Sequence, residues 1–386
     1  MRMSRLRSVL FSLAIALTAL RVAAQTNESA KPQNGLSKLQ MIDGKRHWIV
    51  RSTKFPSPKS TAPTVQELFV PFFMAADGFS PVLWIQNKRF DTAITVRPSA
   101  ILPDGTEVAL KSVKVGAHDI SIVDLNSELG STGGLRMGAL SLRYDFPDSG
   151  AISAFVRNSN QAEQLFVNSH SRERDQFSGT TLDAILWSPG RETTGLVSIL
   201  NASSTQRKVM VSLLDGSSKN ISELSIKPRT FFVLKLDSLI DHLPPSGAGL
   251  RIIADGQPGD IIAEGAVLNK QIGFARRVQF VDTSVHFHQN TLRTDFLLLG
   301  TQSASYGFPQ VAFRSIVVVR NVGTAVARVT PVLSHGSDAT DVPVVLPDLV
   351  VGSLQTIALD LGAAQARGLI PSDFHFGSLE LRANTP

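Results

Sequence analysis

Apolar and polar residues alternate with a period of two over most of the chain after residue 64. Val209, Val211 and Leu213 are a clear example, and the turn Asp215-Gly216 follows them directly. Period-two alternation gives each strand one buried face, and turns that contain glycine separate the strands. Short strands at regular spacing are typical of antiparallel sheets that pack face to face. The pattern therefore predicts an all-β fold.

The same pattern occurs three times along the chain. Asn87, Asn201 and Asn321 each follow an apolar run and precede an alternating strand, at separations of 114 and 120 residues. A repeat of this length corresponds to one small domain that has been copied. We predict three tandem immunoglobulin-like antiparallel β-sandwiches, at residues 64–170, 180–285 and 290–386.

The third repeat departs from the other two at its last strand. In the first two repeats the chain continues into a final strand of about 11 residues, whereas Leu381-Arg382-Ala383 leads only to Pro386. One interpretation is a truncated gene product. The other is an open slot that a strand from another chain fills, because an unpaired strand edge favours strand addition. A donor strand is therefore a predicted partner of the third repeat.

The amino terminus has the form of an export signal. Arg2, Arg5 and Arg7 precede the apolar stretch Val9 to Leu20, and the small residues Ala23-Ala24 follow. We predict a signal peptide at residues 1–24, since 12 apolar residues are few for a membrane span. An uncleaved anchor is the alternative. Residues 25–63 are rich in polar residues and proline, which predicts a flexible segment with one short strand near Trp48.

Charge and cysteine content narrow the classes of function. The formal net charge is +6, and residues 1–24 hold four arginines and no acidic residue, so removal of the signal leaves 6 − 4 = +2. This small charge argues against nucleic-acid binding. The absence of cysteine excludes disulfides and cysteine chemistry. Together with the signal, it favours a bacterial secreted, periplasmic or cell-surface protein with no stable membrane span after cleavage.

The segment from Phe313 to Ala327 reads Phe-Arg-Ser-Ile-Val-Val-Val-Arg-Asn-Val-Gly-Thr-Ala-Val-Ala. It resembles the adhesion-related, CARDB-like immunoglobulin-like repeats of bacterial surface proteins, with weaker versions at Asn87 and Asn201. The resemblance implies modules that act as spacers or adhesive units. It brings no catalytic residues with it.

Candidate chemistry is sparse. No Gly-x-Ser-x-Gly motif is present, so we expect neither an enzyme nor a bound cofactor. His286 and His288 would point to one side of a strand, which suits a metal, but no third ligand stands nearby and a polar linker is the alternative. Trp187 at a strand end is a candidate ligand contact for a carbohydrate. Trp84 beside an apolar run is predicted to lie in the core, and Ser169 to Asp175 to form a solvated connection.

These observations predict an exported, non-enzymatic structural or adhesion-type protein. It would act by spacing and by binding a protein or a cell-surface polymer. The alternatives are a carbohydrate-binding accessory module and a periplasmic assembly factor that pairs strands with a client.

Overall fold

The computed structural model describes residues 38–42, 45–49, 64–76, 78–130, 137–189, 194–238, 246–283, 291–302, 311–335 and 342–383. The chain forms two compact units, residues 1–63 and 64–386. In the first unit, β1 (Lys38–Ile42) and β2 (Lys45–Ile49) form an antiparallel hairpin with Lys38 opposite Ile49. The short strand predicted near Trp48 is therefore paired with a second one. The five sheets of four or more strands that the described residues form all belong to the second unit.

The first pair of sheets is built from ten strands and one short helix. They are β3 (Val65–Met74), β4 (Ser80–Asn87), β5 (Ile94–Ile101), β6 (Glu107–Ala109), β7 (Val113–Val115), β8 (Ile120–Asp124), α1 (Leu125–Leu129), β9 (Met137–Asp145), β10 (Ile152–Asn160), β11 (Leu165–His170) and β12 (Arg172–Glu173). Sheet A has the order β12-β3-β9-β5-β6, with β7 also paired to β5, and sheet B has the order β11-β10-β4-β8. Alternate side chains of both sheets, among them Leu83 and Leu142, enclose an apolar core.

The second pair repeats this arrangement after a 3-10 turn at Arg174–Gln176. Its strands are β13 (Thr181–Leu186), β14 (Thr194–Asn201), β15 (Arg207–Leu214), β16 (Ser218–Ile226), β17 (Phe231–Lys235), β18 (Ala248–Ala254), β19 (Ile261–Asn269), β20 (Phe274–Gln279) and β21 (Val281–Asp282), with a 3-10 turn at Leu236–Ser238. Sheet C has the order β16-β15-β18-β13-β21 and sheet D the order β17-β14-β19-β20. Residues such as Ile199 and Ile252 fill the core between them.

In the third pair, the described residues form one sheet of five strands and two sheets of two strands each. Its elements are β22 (Thr291–Leu298), β23 (Gly300–Gln302), β24 (Val311–Phe313), β25 (Ile316–Arg320), β26 (Ala327–His335), β27 (Val344–Val345), β28 (Leu349–Val351), β29 (Thr356–Asp360), α2 (Leu361–Ala366) and β30 (Phe376–Ala383). Sheet E has the order β22-β30-β26-β27, with β28 also paired to β26, sheet F holds only β25 and β29, and β23 pairs with β24. The all-β prediction is confirmed.

One asparagine has the same role in all three pairs, fully buried in the first two and half-buried in the third. Its side-chain amide ends the second strand and donates hydrogen bonds to three backbone carbonyls of the two following turns. The acceptors are those of Thr92, Val115 and Gly116 for Asn87, of Thr205, Ile226 and Lys227 for Asn201, and of Ala325, Val351 and Gly352 for Asn321. Its oxygen accepts the N–H two residues ahead. The repeated asparagine therefore holds the end of the second strand to the two turns that follow it.

The first two pairs share an apolar junction. The outer face of β3 packs Phe69 and Phe72 against the outer face of sheet D, where Leu200, Ile262 and Leu268 are buried. Every residue of β19 is buried as a result. These two sandwiches therefore form one body and are not joined by a linker alone.

Polar groups inside this junction are paired across it. Glu264 is 1% exposed and accepts hydrogen bonds from the Ser169 hydroxyl at 2.5 Å and the His170 N–H at 3.0 Å. It also pairs with Arg277. The segment Ser169 to Asp175, predicted to be a solvated connection, instead supplies β11, β12 and buried groups such as Glu173. That prediction was wrong because its polar side chains find partners in both pairs of sheets, Glu173 with Tyr144 and Ser169 with Glu264.

We expect Asn201→Ala to lower the free energy of unfolding by about 2–3 kcal/mol, because buried carbonyls lose their donor. Urea unfolding of the full chain measures the change. Ser204→Ala, an exposed change in the same turn, is the control and should leave the unfolding midpoint where it is. Equal effects of the two substitutions would contradict the role of the asparagine.

His170 should make the protein less stable in acid. Burial, together with Arg277 and Arg172, lowers the pKa of His170 to about 3, whereas an unfolded histidine has a pKa near 6.5. As pH falls from about 6.5 towards 3, only the unfolded chain takes up this proton, so stability decreases over that range. We expect His170 to contribute a loss on the order of 1–2 kcal/mol between pH 7 and pH 5.

Urea unfolding at both pH values measures this loss, which His170→Gln should reduce. The exposed His118 provides the matched control, His118→Asn, which should keep the pH dependence of the unmodified protein. A His170→Gln protein with unchanged pH dependence would show that another group is responsible.

Candidate functional site

The strand β25 has a neighbour on one side only. Its counterparts lie between two strands each, β4 between β10 and β8, and β14 between β19 and β17. β25 pairs with β29 from Ile316 opposite Asp360 to Arg320 opposite Thr356. In the part of the chain that the structure describes, no strand pairs with its other edge. Backbone groups at such an edge are available to an added strand.

The core beneath this edge is also uncovered. At the inward positions of the second strand, Val197 and Ile199 are fully buried, whereas Val317 and Val319 are only half-buried. Leu292 is 65% exposed.

Leu292 differs sharply from its counterparts in the first two pairs. Leu68, Leu182 and Leu292 occupy one register position, opposite Leu142, Ile252 and Leu381 respectively. Leu68 and Leu182 are both 2% exposed. The repeat pattern predicted that one strand is absent from the third repeat. Sheet B holds β10 and β11, and sheet D holds β19 and β20. None of these strands has a counterpart among the described residues of sheet F.

The two filled sites define the register of a strand at this position. Asn87 lies opposite Ile152, and Asn201 lies opposite Ile261, in antiparallel pairing. From that isoleucine onward, alternate residues of β10 and β19 enter the core. By the same register, an antiparallel strand beside β25 would place an apolar residue opposite Asn321 and further apolar residues at every second position.

Arg320 fixes the end of β25 against the second pair of sheets. Its side chain is 2% exposed and donates to Asp183 Oδ1 at 2.8 Å and to the Ala184 carbonyl at 2.7 Å. Arg251 and the Thr283 hydroxyl also donate to Asp183. A buried ion pair therefore holds β25 against the second pair of sheets.

The surroundings of Arg320 accommodate its charge and its size. Burial lowers the pKa of Arg320, and the Asp183 carboxylate opposes that shift, so the guanidinium keeps its charge. Gly249 borders the guanidinium, and a Cβ at this position would collide with it. Arg320 was not identified from the sequence. A charged side chain directly after the apolar run Ile316 to Val319 was a signal for it.

Of the predicted site residues, the structure describes only Trp187. Trp187 is half-buried, and its ring packs edge-on against Phe274 with centroids 6.0 Å apart. His286 and His288 lie outside the described residues. Trp84 points away from the core, on the opposite face from Leu83 and Ile85, so its predicted core position was wrong. Within the described ranges, no group of three or more His, Asp or Glu side chains could hold a metal ion.

The described residues contain no helix that is long and apolar enough to cross a membrane.

Comparisons with known proteins leave the chain without a family. No family profile and no curated protein matches it. One solved structure, trypsin-activated alpha-2-macroglobulin from Escherichia coli, aligns at 10% identity with a TM-score of 0.13. The alignment covers 83% of this chain and 24% of that one. A likeness at this level carries no argument, and the resemblance to CARDB-like repeats stays a prediction.

Arg320→Ala should destabilise the third pair of sheets by about 2–4 kcal/mol, because Asp183 loses a partner at the contact between the second and third pairs. Chemical unfolding followed by hydrogen exchange in β25 and β29 measures the loss. Arg314→Ala is the matched control, since Arg314 also binds an aspartate, Asp360, but its side chain is 70% exposed. Exposed pairs contribute about 0–1 kcal/mol. Equal losses in both variants would contradict the anchoring role.

Proposed function

We propose that this protein is an exported, non-enzymatic binding protein of bacteria that captures an extended segment of another protein by strand addition at β25. In this proposal its three pairs of sheets are three immunoglobulin-like sandwiches, and residues 1–24 direct it to the periplasm, the cell surface or the medium. The observation that carries the proposal is the edge of β25 with which no described strand pairs, at a position that is filled in the other two sandwiches.

The arrangement of the first two sandwiches supports a protein ligand. They share a buried junction and so form a rigid body, to which Arg320 anchors β25. A preformed, anchored strand loses little conformational freedom when a partner strand is added, which favours binding. Main-chain hydrogen bonds would supply affinity, and the apolar positions next to Val317 and Val319 would select the side chains.

The other functions predicted from the sequence have less support. A pure spacer does not need an uncovered core edge. A carbohydrate-binding module would use exposed aromatic rings, and Trp187 is half-buried against Phe274. A strand-pairing assembly factor and an adhesion protein both remain within the proposal, because both hold an extended segment of a partner.

A peptide that copies residues 260–269 should bind the full chain, because β19 fills the equivalent position in the second sandwich. Calorimetry measures binding, and hydrogen exchange should show new protection in β25. The control peptide replaces the inward residues that correspond to Ile261, Ala263 and Val267 by aspartate and should not bind. The edge strand β16 is an internal control and should gain no protection. Binding of both peptides, or protection confined to other strands, would contradict the proposal.

A further inference from the structure

A second surface, on the first pair of sheets, is left uncovered by the residues that the structure describes. The outward face of sheet B carries Ile122, Trp84, Phe155 and His170 in one row across its four strands. The Trp84 and Phe155 rings are parallel within 8°, with centroids 5.8 Å apart, and Phe155 stacks on His170 in turn. Ile122 is 56% exposed, and its neighbour Ile120 is 48% exposed. The two exposed isoleucines and the half-buried rings of Trp84 and Phe155 form one apolar patch.

The equivalent face is buried in the second pair of sheets. The residue before the repeated asparagine and its cross-strand neighbour are Leu200 and Phe231 there, and both pack against the first pair. Their counterparts on sheet B are Gln86 and Ile120.

The third pair uses the same positions for its own junction. Arg320 and Thr356 are the corresponding residues, and both are buried. This fold therefore docks through one particular sheet face, and sheet B is the one case in which the described residues leave that face uncovered.

Charges on this face match those of a second copy of itself. Asp124, Val82 and Arg157 form one cross-strand row, so the acidic and basic side chains stand about two strand spacings, roughly 10 Å, apart. A two-fold axis through the face would bring each Asp124 to the Arg157 of the other copy. Opposite charges on a self-complementary patch are what an isologous dimer requires.

The other end of the molecule is a poorer match for this surface. The outward face of sheet E carries Arg328, Glu380 and Arg382. These charged groups would lose water against Trp84 and Phe155 without gaining partners.

We infer that two copies of this chain associate through the outward faces of sheet B, around a two-fold axis. The apolar row packs against its own copy, and Asp124 and Arg157 form ion pairs across the axis. This inference is independent of the strand acceptor at β25, which lies on a different pair of sheets.

Sedimentation velocity of the full chain over about 1–200 µM tests the dimer, a range that suits a weak interface. We expect the unmodified protein to move from monomer to dimer as concentration rises. Ile122→Glu should remain monomeric over the whole range, because each copy would then bury a charge against Phe155 of the other copy. Arg157→Glu should weaken the dimer at least tenfold, because it faces Asp124.

Val350→Glu is the matched control, since Val350 is 53% exposed but lies in β28 of the third pair. It should dimerise as the unmodified protein does. Circular dichroism and melting check that the variants fold, and Asp124 is left unchanged because it caps α1. An unmodified protein that stays monomeric at every concentration would overturn the inference, as would an Ile122→Glu protein that dimerises normally.

Discussion

The geometry of each sandwich depends on one side-chain amide. The asparagine that ends the second strand donates to carbonyls of two separate turns, and its oxygen accepts the N–H of the residue two positions ahead. In the first two sandwiches one of these carbonyls is buried, and without the amide it would be left without a donor. These hydrogen bonds fix where the second strand ends and where the third begins. It thereby sets the register in which the neighbouring strands pair, including any strand added at β25.

The all-β fold follows directly from the alternation of apolar residues, and the repeated asparagines were visible as equally spaced positions. The junctions were not, because burial of an outer face depends on another sandwich far along the chain. Glu264 illustrates this: its sequence position suggests a solvent-facing residue, yet Ser169 and Arg277 pair with it inside the protein. Trp84 illustrates the converse error, since hydrophobicity alone does not distinguish the two faces of a strand.

The absence of a final strand from the third repeat stays a prediction, and among the described residues β29 alone pairs with β25. Sequence alone did not indicate that Arg320 holds β25 against the second pair of sheets. A buried arginine and its aspartate, 137 residues apart in the chain, form a pair that local patterns do not reveal.

The complete burial of β19 has a mechanical consequence. Sheet D is a layer shared by two cores, one on its own side and one against β3. A force that opens the first sandwich must therefore also expose the outer face of the second. If the chain carries tension between two attachment points, we expect these two sandwiches to yield in one step rather than two. Single-molecule extension that showed separate rupture of each would count against a shared layer.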